Sequence, residues 1–406
     1  MNKLIHLLNG LKVKNRYRSN HREPFIWVFG EWFGEKCYDN SLCLANYVAG
    51  NYSEIQVFWA SKANTDISLL HPKVSHLIFG TEQALSVYEK AGVVFMNQGL
   101  KDFSEQGFDY FDGAFKVNLW HGVMWKRIGH DGSPQNGFLY SLYRKINDYI
   151  FGANYYLAVS NEYAKICESA FGANRENIIK AGYPRNFIFY DDYLLNQAKK
   201  EVINILRKKT GYQWSYSTKI ITYMPTFRDK VEDVFSFEEL EGDKKFVKWL
   251  AINNVVLIQK THFITQKRKK RISQKINEKR IIIFNDINPQ ILLAASNLLI
   301  TDYSSCFFDF LLLDRPIIHF LYDYDYYQSK DRGLYYNKED VVCGSTATQC
   351  EELPELIISN MNNPNKTQNL RSKRKNRFMT YEGKHSCEII CNEILKKINN
   401  QNMIKI

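Results

Sequence analysis

The sequence predicts an α/β protein built from two domains with parallel sheets, and three observations predict it. Short apolar runs ending in polar or glycine-containing loops alternate with helical segments, the order that strand–helix–strand units leave in a chain. A polar, lysine-rich stretch of helical period, 190–218, interrupts this alternation, which then restarts. The 406 residues exceed one ordinary core and suit two domains of about 200 residues each.

In the first half, Phe25 to Phe29 is an apolar run that ends in Gly30-Glu31-Trp32-Phe33-Gly34. A helical segment, Ser41 to Val48, leads to a second run, Ile55 to Trp59. The loop lacks GxGxxG, so the dinucleotide fingerprint is missing. Val74 to Phe79 and Val93 to Met96 continue the alternation toward Val117 to Trp120, which ends in Trp120-His121-Gly122 with Lys126 and Arg127 following. A histidine at the carboxyl end of a parallel strand, with two cations one turn on, is placed for general-base work beside an anion; the alternative is a structural histidine. Tyr155 to Val159 reads as a strand, Asn161 to Phe171 as a helix and Ile178 to Ala181 as a strand. Gly182-Tyr183-Pro184-Arg185-Asn186 then breaks the pattern, and Arg185 offers a fork of donors suited to phosphate.

In the second half, Lys219 to Tyr223 ends in Met224-Pro225-Thr226-Phe227-Arg228-Asp229, and Val255 to Ile258 ends in Gln259-Lys260-Thr261-His262. Ile281 to Phe284 leads into Asn285-Asp286-Ile287-Asn288-Pro289, where Asn288 is placed to cap the helix that Pro289 starts. Leu298 to Ile300 stops at Thr301-Asp302-Tyr303-Ser304-Ser305, an amphipathic segment Cys306 to Leu313 follows, and Arg315-Pro316 opens another buried run, Ile317 to Leu321. This unit implies a right-handed crossover in a parallel sheet, with ligands at the carboxyl ends of the strands. Ser and Asp at a helix start make either an ordinary cap or an anion site. Four strand ends thus carry polar groups toward one edge: Thr226 and Arg228, Lys260 and His262, Asp286 and Asn288, and Asp302 to Ser305.

A net charge of +11 predicts an anionic partner: nucleotide, phosphate polymer or membrane surface. Nucleic acid ranks last, because no zinc-finger, RNA-recognition or heptad signature accompanies the charge. The eight cysteines form no CxxC pair and read as reduced, buried cytoplasmic thiols. No run of 18 apolar residues predicts a membrane span, and no apolar signal core opens the chain. Met1 to Arg18 carries Leu4, Ile5, Leu7, Leu8 and Leu11 on one side and cations on the other, which fits an interfacial helix or a first helix packed on its own domain. Two charge runs, Lys267 to Arg271 and Arg371 to Arg377, read as solvated helix faces or as a landing strip for anionic lipid or polymer. Asp323-Tyr324-Asp325 looks like a DxD metal motif but follows a strand and reads as incidental.

The ordered set Trp120-His121-Gly122, Gly182 to Asn186, Met224 to Asp229, Lys260-Thr261-His262, Ile300 to Phe310, Arg315 to Asp323 and Asp331-Arg332-Gly333 resembles the CDP-glycerol glycerophosphotransferase family of teichoic acid primases and polymerases, also found in capsule polymer synthesis. Phe29 to Ser41 is similar to that family's first strand and loop. The resemblance implies a GT-B-like fold, two facing Rossmann-type domains with parallel sheets and a cleft between them. An amphipathic segment 1–20 would precede an acceptor-side domain 21–195 carrying His121; a domain 196–375 would hold the CDP-alditol, and a helix 376–406 would follow. It further implies transfer of glycerol phosphate, or a related alditol phosphate, from CDP-glycerol to a hydroxyl of a lipid-linked or polysaccharide acceptor, with release of CMP. His121 and His262 would be catalytic. Trp120, Gly122, Arg185, Thr226, Arg228, Lys260, Asp286, Asn288, Asp302, Ser304 and Ser305 would bind the donor. With these cations and a helix end supplied, no metal is required, although a divalent ion could do the neutralising instead. The expected location is cytoplasmic, peripheral to the inner face of a bacterial membrane. This chain departs from the family pattern at Val123-Met124, Phe187 and Phe263, the first of which bears on the acceptor. Competing readings are a GT-B glycosyltransferase using a nucleotide sugar and a non-catalytic polyanion-binding module.

Overall fold

In the computed structural model, residues 3–132, 137–226, 235–260, 280–330 and 333–404 are described. They divide into two units. Unit 1 comprises Met1–His121, Gly129–Phe187 and Thr380–Ile406; unit 2 comprises Gly122–Ile128 and Ile188–Met379. Chain order alone divides 21–195 from 196–375, whereas three stretches depart from it: 122–128 and 188–195 belong to unit 2, and Thr380–Ile406 to unit 1.

Unit 1 is built on strands β1 (Glu23–Phe29), β2 (Gln56–Ser61), β3 (Ser75–Ile78), β4 (Ala91–Met96), β5 (Phe115–Asn118), β6 (Tyr155–Ala158) and β7 (Ile178–Lys180). They form one sheet in the order β3-β2-β1-β4-β5-β6-β7, and every pairing is parallel. Unit 2 carries β8 (Lys219–Met224), β9 (Val255–Gln259), β10 (Ile281–Ile283), β11 (Leu298–Thr301), β12 (Ile317–Phe320) and β13 (Ser345–Ala347) in the order β10-β9-β8-β11-β12-β13, again all parallel. Helices cover both faces of such sheets, so the central strands are buried throughout; β4 and β9 expose none of their residues. In each sheet the strand order reverses beside the first strand, between β1 and β4 and between β8 and β11. Those are the points at which an open α/β sheet binds ligands.

Twelve of these strands coincide with the apolar runs of the sequence. The thirteenth, Ser345–Ala347, has no apolar run; it pairs only with β12, at the sheet's edge. The helix Phe138–Phe151 is likewise absent from the sequence reading, and it changes the account of the first helix, Lys3–Arg16. A Cβ on Gly10 would lie 2.5 Å from the Phe151 ring, so only glycine lets these two helices approach so closely. Lys14, 4% exposed, pairs with Asp109 at 2.8 Å and Asp112 at 2.7 Å, and thereby ties the first helix to its own unit. The opposite side stays apolar and open: Leu4, Ile5 and Leu8 are exposed, as are Phe138, Leu139, Leu142 and Ile146 on the neighbouring helix.

Two sequence expectations are corrected. The segment Cys306 to Leu313 is not an amphipathic helix. Cys306–Phe310 is α-helical, Leu311–Leu313 tightens into a 3-10 turn, and Cys306 to Leu312 are all buried. Phe308 lies 5.2 Å from Phe378 of the helix Gln368–Phe378, which covers the side that would otherwise meet water. The Arg371–Arg377 run is neither a solvated face nor a landing strip throughout, since Arg371 and Arg374 point inward. Arg371 donates to Asp314 Oδ1 at 2.9 Å and to the Asp314 and Pro364 carbonyls at 3.1 Å. Arg374 donates to the carbonyls of Val342 and Glu339. The planar guanidinium satisfies several buried carbonyls at once, which a lysine cannot do. The Lys267 to Arg271 run lies outside the described residues.

Candidate active site

At the carboxyl edge of the unit 1 sheet, β5 delivers Trp120 and His121. The two rings stack with centroids 4.4 Å apart and 28° between planes, and the Trp32 indole from the end of β1 approaches the same imidazole at 5.5 Å. Trp120 is left-handed, with φ 56°. Its N–H donates to Asn118 Oδ1 at 2.9 Å and its carbonyl accepts from Asn40 Nδ2 at 2.9 Å, and these two bonds hold that turn.

The loop after β1 is bound into the loop after β4. The Trp32 N–H donates to Gln98 Oε1 at 2.6 Å and the Phe33 N–H to Asp102 Oδ1 at 2.8 Å. The other Asp102 oxygen accepts from the Asn97 and Gln98 amides at 2.9 and 2.8 Å. Burial pushes the Asp102 carboxyl up to about 6 against the pull of those amides. Gly30 is required here, because a Cβ would fall 2.5 Å from the Asp102 carbonyl. Glu31, fully buried, accepts from the Tyr38 and Asp39 amides, and desolvation followed by the Asp39 charge raises its carboxyl well above the usual range.

Arg185 stands in this network. Its Nη1 donates to Asp39 Oδ1 at 2.8 Å with both side chains nearly buried, and its amide donates to Asn40 Oδ1 at 3.2 Å. Asp39 also caps the helix Asn40–Asn51 and accepts from Trp32 Nε1 at 2.9 Å. Arg185 thus braces two loops through Nη1 and its backbone amide.

In unit 2 the polar groups gather at the reversal between β8 and β11. Asp302, fully buried, accepts at Oδ1 from the Thr226 amide at 2.8 Å, the Thr226 hydroxyl at 2.6 Å and the Tyr303 amide at 2.7 Å. Lys260, at the end of β9, donates to the Asn285 carbonyl at 2.7 Å. His319 on β12 is buried behind this edge and meets Cys343 Sγ at 3.3 Å; burial moves its imidazole down to about 4. Asn288 caps the helix Pro289–Ala295 by accepting from the Gln290 amide at 2.8 Å. Asp286 is exposed and pairs with Lys209 at 3.2 Å. Ser304 and Ser305 precede Cys306, but the Ser305 side chain makes no capping bond, and five α-helical residues supply little dipole to an anion. Gly122 belongs to unit 2 with the segment anchored by Trp125 Nε1, which donates to the Tyr336 carbonyl at 2.8 Å. Arg228 and His262 lie outside the described residues.

Sequence reading named neither Trp32, Asp39, Gln98 nor Asp102 as site residues. A strand-end loop rich in glycine and aromatics was the signal available, and only the hydrogen bonds across β1 and β4 single these residues out. Among the described residues no group of three or more His, Cys, Asp or Glu side chains is arranged to hold a metal ion.

The family model for CDP-glycerol:poly(glycerophosphate) glycerophosphotransferase matches residues 17–396. The chain belongs to this family. A teichoic acid glycerol-phosphate transferase of Staphylococcus aureus is 25% identical over 91% of this chain and 92% of its own length. A teichoic acid poly(glycerol phosphate) polymerase of Bacillus spizizenii is 28% identical over 61% of each chain, and one of Staphylococcus epidermidis is 24% identical over 96% of this chain and 54% of its own. The chain therefore spans less than two thirds of the length of these two polymerases. Among solved structures, the wall teichoic acid polymerase TagF superposes with a TM-score of 0.76 at 21% identity, covering 98% of this chain and 97% of that one. A UDP-N-acetylglucosamine 2-epimerase superposes at 0.55 with 13% identity over 93% of this chain and 97% of that one. The family member thus has a GT-B-like fold of two domains with parallel sheets.

Proposed function

We propose that this protein transfers glycerol phosphate, or a related alditol phosphate, from CDP-glycerol to a hydroxyl of a lipid-linked or polysaccharide acceptor in teichoic acid or capsule-type polymer synthesis. Family membership over 17–396 carries this reading. Relatives named as glycerol-phosphate transferase and polymerase support it, as does a TagF variant studied with CDPG. In the reaction the acceptor oxygen bonds to the phosphorus that carries the alditol, the bond from that phosphorus to the bridging oxygen breaks, and CMP leaves with the electron pair. We assign His121 as the base that takes the acceptor's proton, because it follows the end of β5 among aromatic rings. To unit 2 we assign the donor, with Lys260, Thr226 and the Asp302 to Ser305 turn at the strand ends, and with Arg228 and His262 as further donor contacts by sequence position.

We assign the protein to a membrane surface through the exposed apolar sides of the helices Lys3–Arg16 and Phe138–Phe151, flanked by Lys12, Arg16, Arg144 and Lys145. No helix among the described residues is long and apolar enough to cross a membrane.

Incubation with CDP-glycerol, with CDP-ribitol and with UDP-sugars, each beside a defined lipid-linked acceptor, tests the reading by release of CMP or UDP. Release of UDP alone would favour a glycosyltransferase, and release of neither would favour a binding module. His121→Ala should lower turnover by at least about a hundredfold with donor affinity kept. Near-normal turnover would remove His121 from the chemistry.

A further inference from the structure

We propose that Trp32 is a positioning residue for His121, and that the loop after β4 exists in part to hold it there. The proposal rests on the reading of His121 as the base. Among the described residues five non-glycine positions have left-handed backbone, and three of them stand at this one edge: Trp32 at φ 49°, Phe33 at φ 58° and Trp120 at φ 56°. A β-carbon strains this conformation, so it persists only where neighbours over-determine it.

Each of the three is over-determined. Gln98 Oε1 takes the Trp32 amide, Asp39 Oδ2 takes the Trp32 indole N–H, and Asp102 Oδ1 takes the Phe33 amide. Asn118 and Asn40 hold Trp120 on its two sides. The common result of these bonds is that two indoles meet the His121 ring, at 4.4 and 5.5 Å. No packing need of the sheet explains the arrangement, because the Phe33 side chain is 36% exposed while its backbone is strained. A ring packed against two indoles has less room to swing, so the imidazole nitrogen keeps one direction toward the acceptor hydroxyl, which is the property a base needs.

The test uses the full chain, CDP-glycerol and a lipid-linked acceptor, and compares Trp32→Ala, Trp32→Phe and Gln98→Met with His121→Ala. Trp32→Ala should lower kcat about ten- to a hundredfold, hold the KM for CDP-glycerol within about twofold, and move the ionisation seen in the kcat–pH profile by about half a pH unit or more. Trp32→Phe should restore kcat to within about threefold, since a flat ring returns. Gln98→Met, which removes the carboxamide whose oxygen accepts the Trp32 amide, should displace the profile in the same sense and serves if Trp32→Ala does not fold. Wild-type kcat and profile in Trp32→Ala or in Gln98→Met, with His121→Ala inactive, would overturn the proposal and leave the base assignment standing. An active His121→Ala would overturn the base assignment and this inference with it.

Discussion

Asp302 holds Thr226 twice, accepting the backbone amide at 2.8 Å and the hydroxyl at 2.6 Å on one carboxylate oxygen. This joins the carboxyl ends of β8 and β11, two strands far apart in sequence, at the point where the strand order of unit 2 reverses. Thr226→Val removes the hydroxyl while conserving shape. It should destabilise the protein by about 1–3 kcal/mol, the usual penalty for a buried acceptor that loses a donor. Urea unfolding should show a lower midpoint at unchanged slope, and an unchanged midpoint would mean that the backbone amides secure Asp302 without the hydroxyl.

His319 makes stability depend on pH. Burial is the largest cause of its depressed imidazole, at about 4 in the fold, against about 6.5 for an unfolded chain. The unfolded state therefore binds the proton first. This contribution is fully present above about pH 6.5 and is lost as pH falls through the folded value, on the order of 3 kcal/mol in all. Asp102, raised to about 6, acts in the opposite direction over an overlapping range. The difference between wild type and His319→Gln isolates the histidine, because Asp102 is common to both. Denaturant midpoints from pH 7.5 to 4.5 should fall less steeply in the variant, and parallel curves would refute the linkage.

Arg371 acts within the fold. Arg371→Ala should cost about 2 kcal/mol, at the low end for a broken buried pair, because Asp314 is partly solvated. Its thermal midpoint should drop while the salt dependence of binding to anionic vesicles stays that of wild type. A changed salt dependence at unchanged stability would return this residue to the surface charge.

The apolar sides of the first helix and of Phe138–Phe151 lead to a prediction about location. Replacing Leu8, Phe138 and Leu142 together by serine removes exposed apolar area and touches no buried side chain. In a flotation assay with anionic vesicles the wild type should float and the variant should not. Raised salt should weaken wild-type binding, since each nearby cation adds about 1 kcal/mol at such a surface. A wild type that stays at the bottom at low salt would end the membrane assignment and leave the transferase reading intact.

The sequence alone determined the parallel α/β architecture. Twelve of the thirteen strands coincide with apolar runs, and a strand covered on both faces, such as β4, is apolar along its whole length, a property written in consecutive residues. Local cap chemistry was equally legible: Asn288 before Pro289 caps its helix as its position implies. The His121 strand end could be marked as a polar stop after an apolar run. Only the tertiary structure decided which polar residues meet. Asp302 meets Thr226 and Arg185 meets Asp39, while Arg371 and Arg374 turn inward, since a side chain's partner depends on strands and helices brought together from distant parts of the chain. The same holds for Trp32 and Phe33. Their left-handed backbone has no signature in residue type, and it exists because Gln98, Asp39 and Asp102, up to 69 residues away, hold hydrogen bonds that no local segment can form for itself.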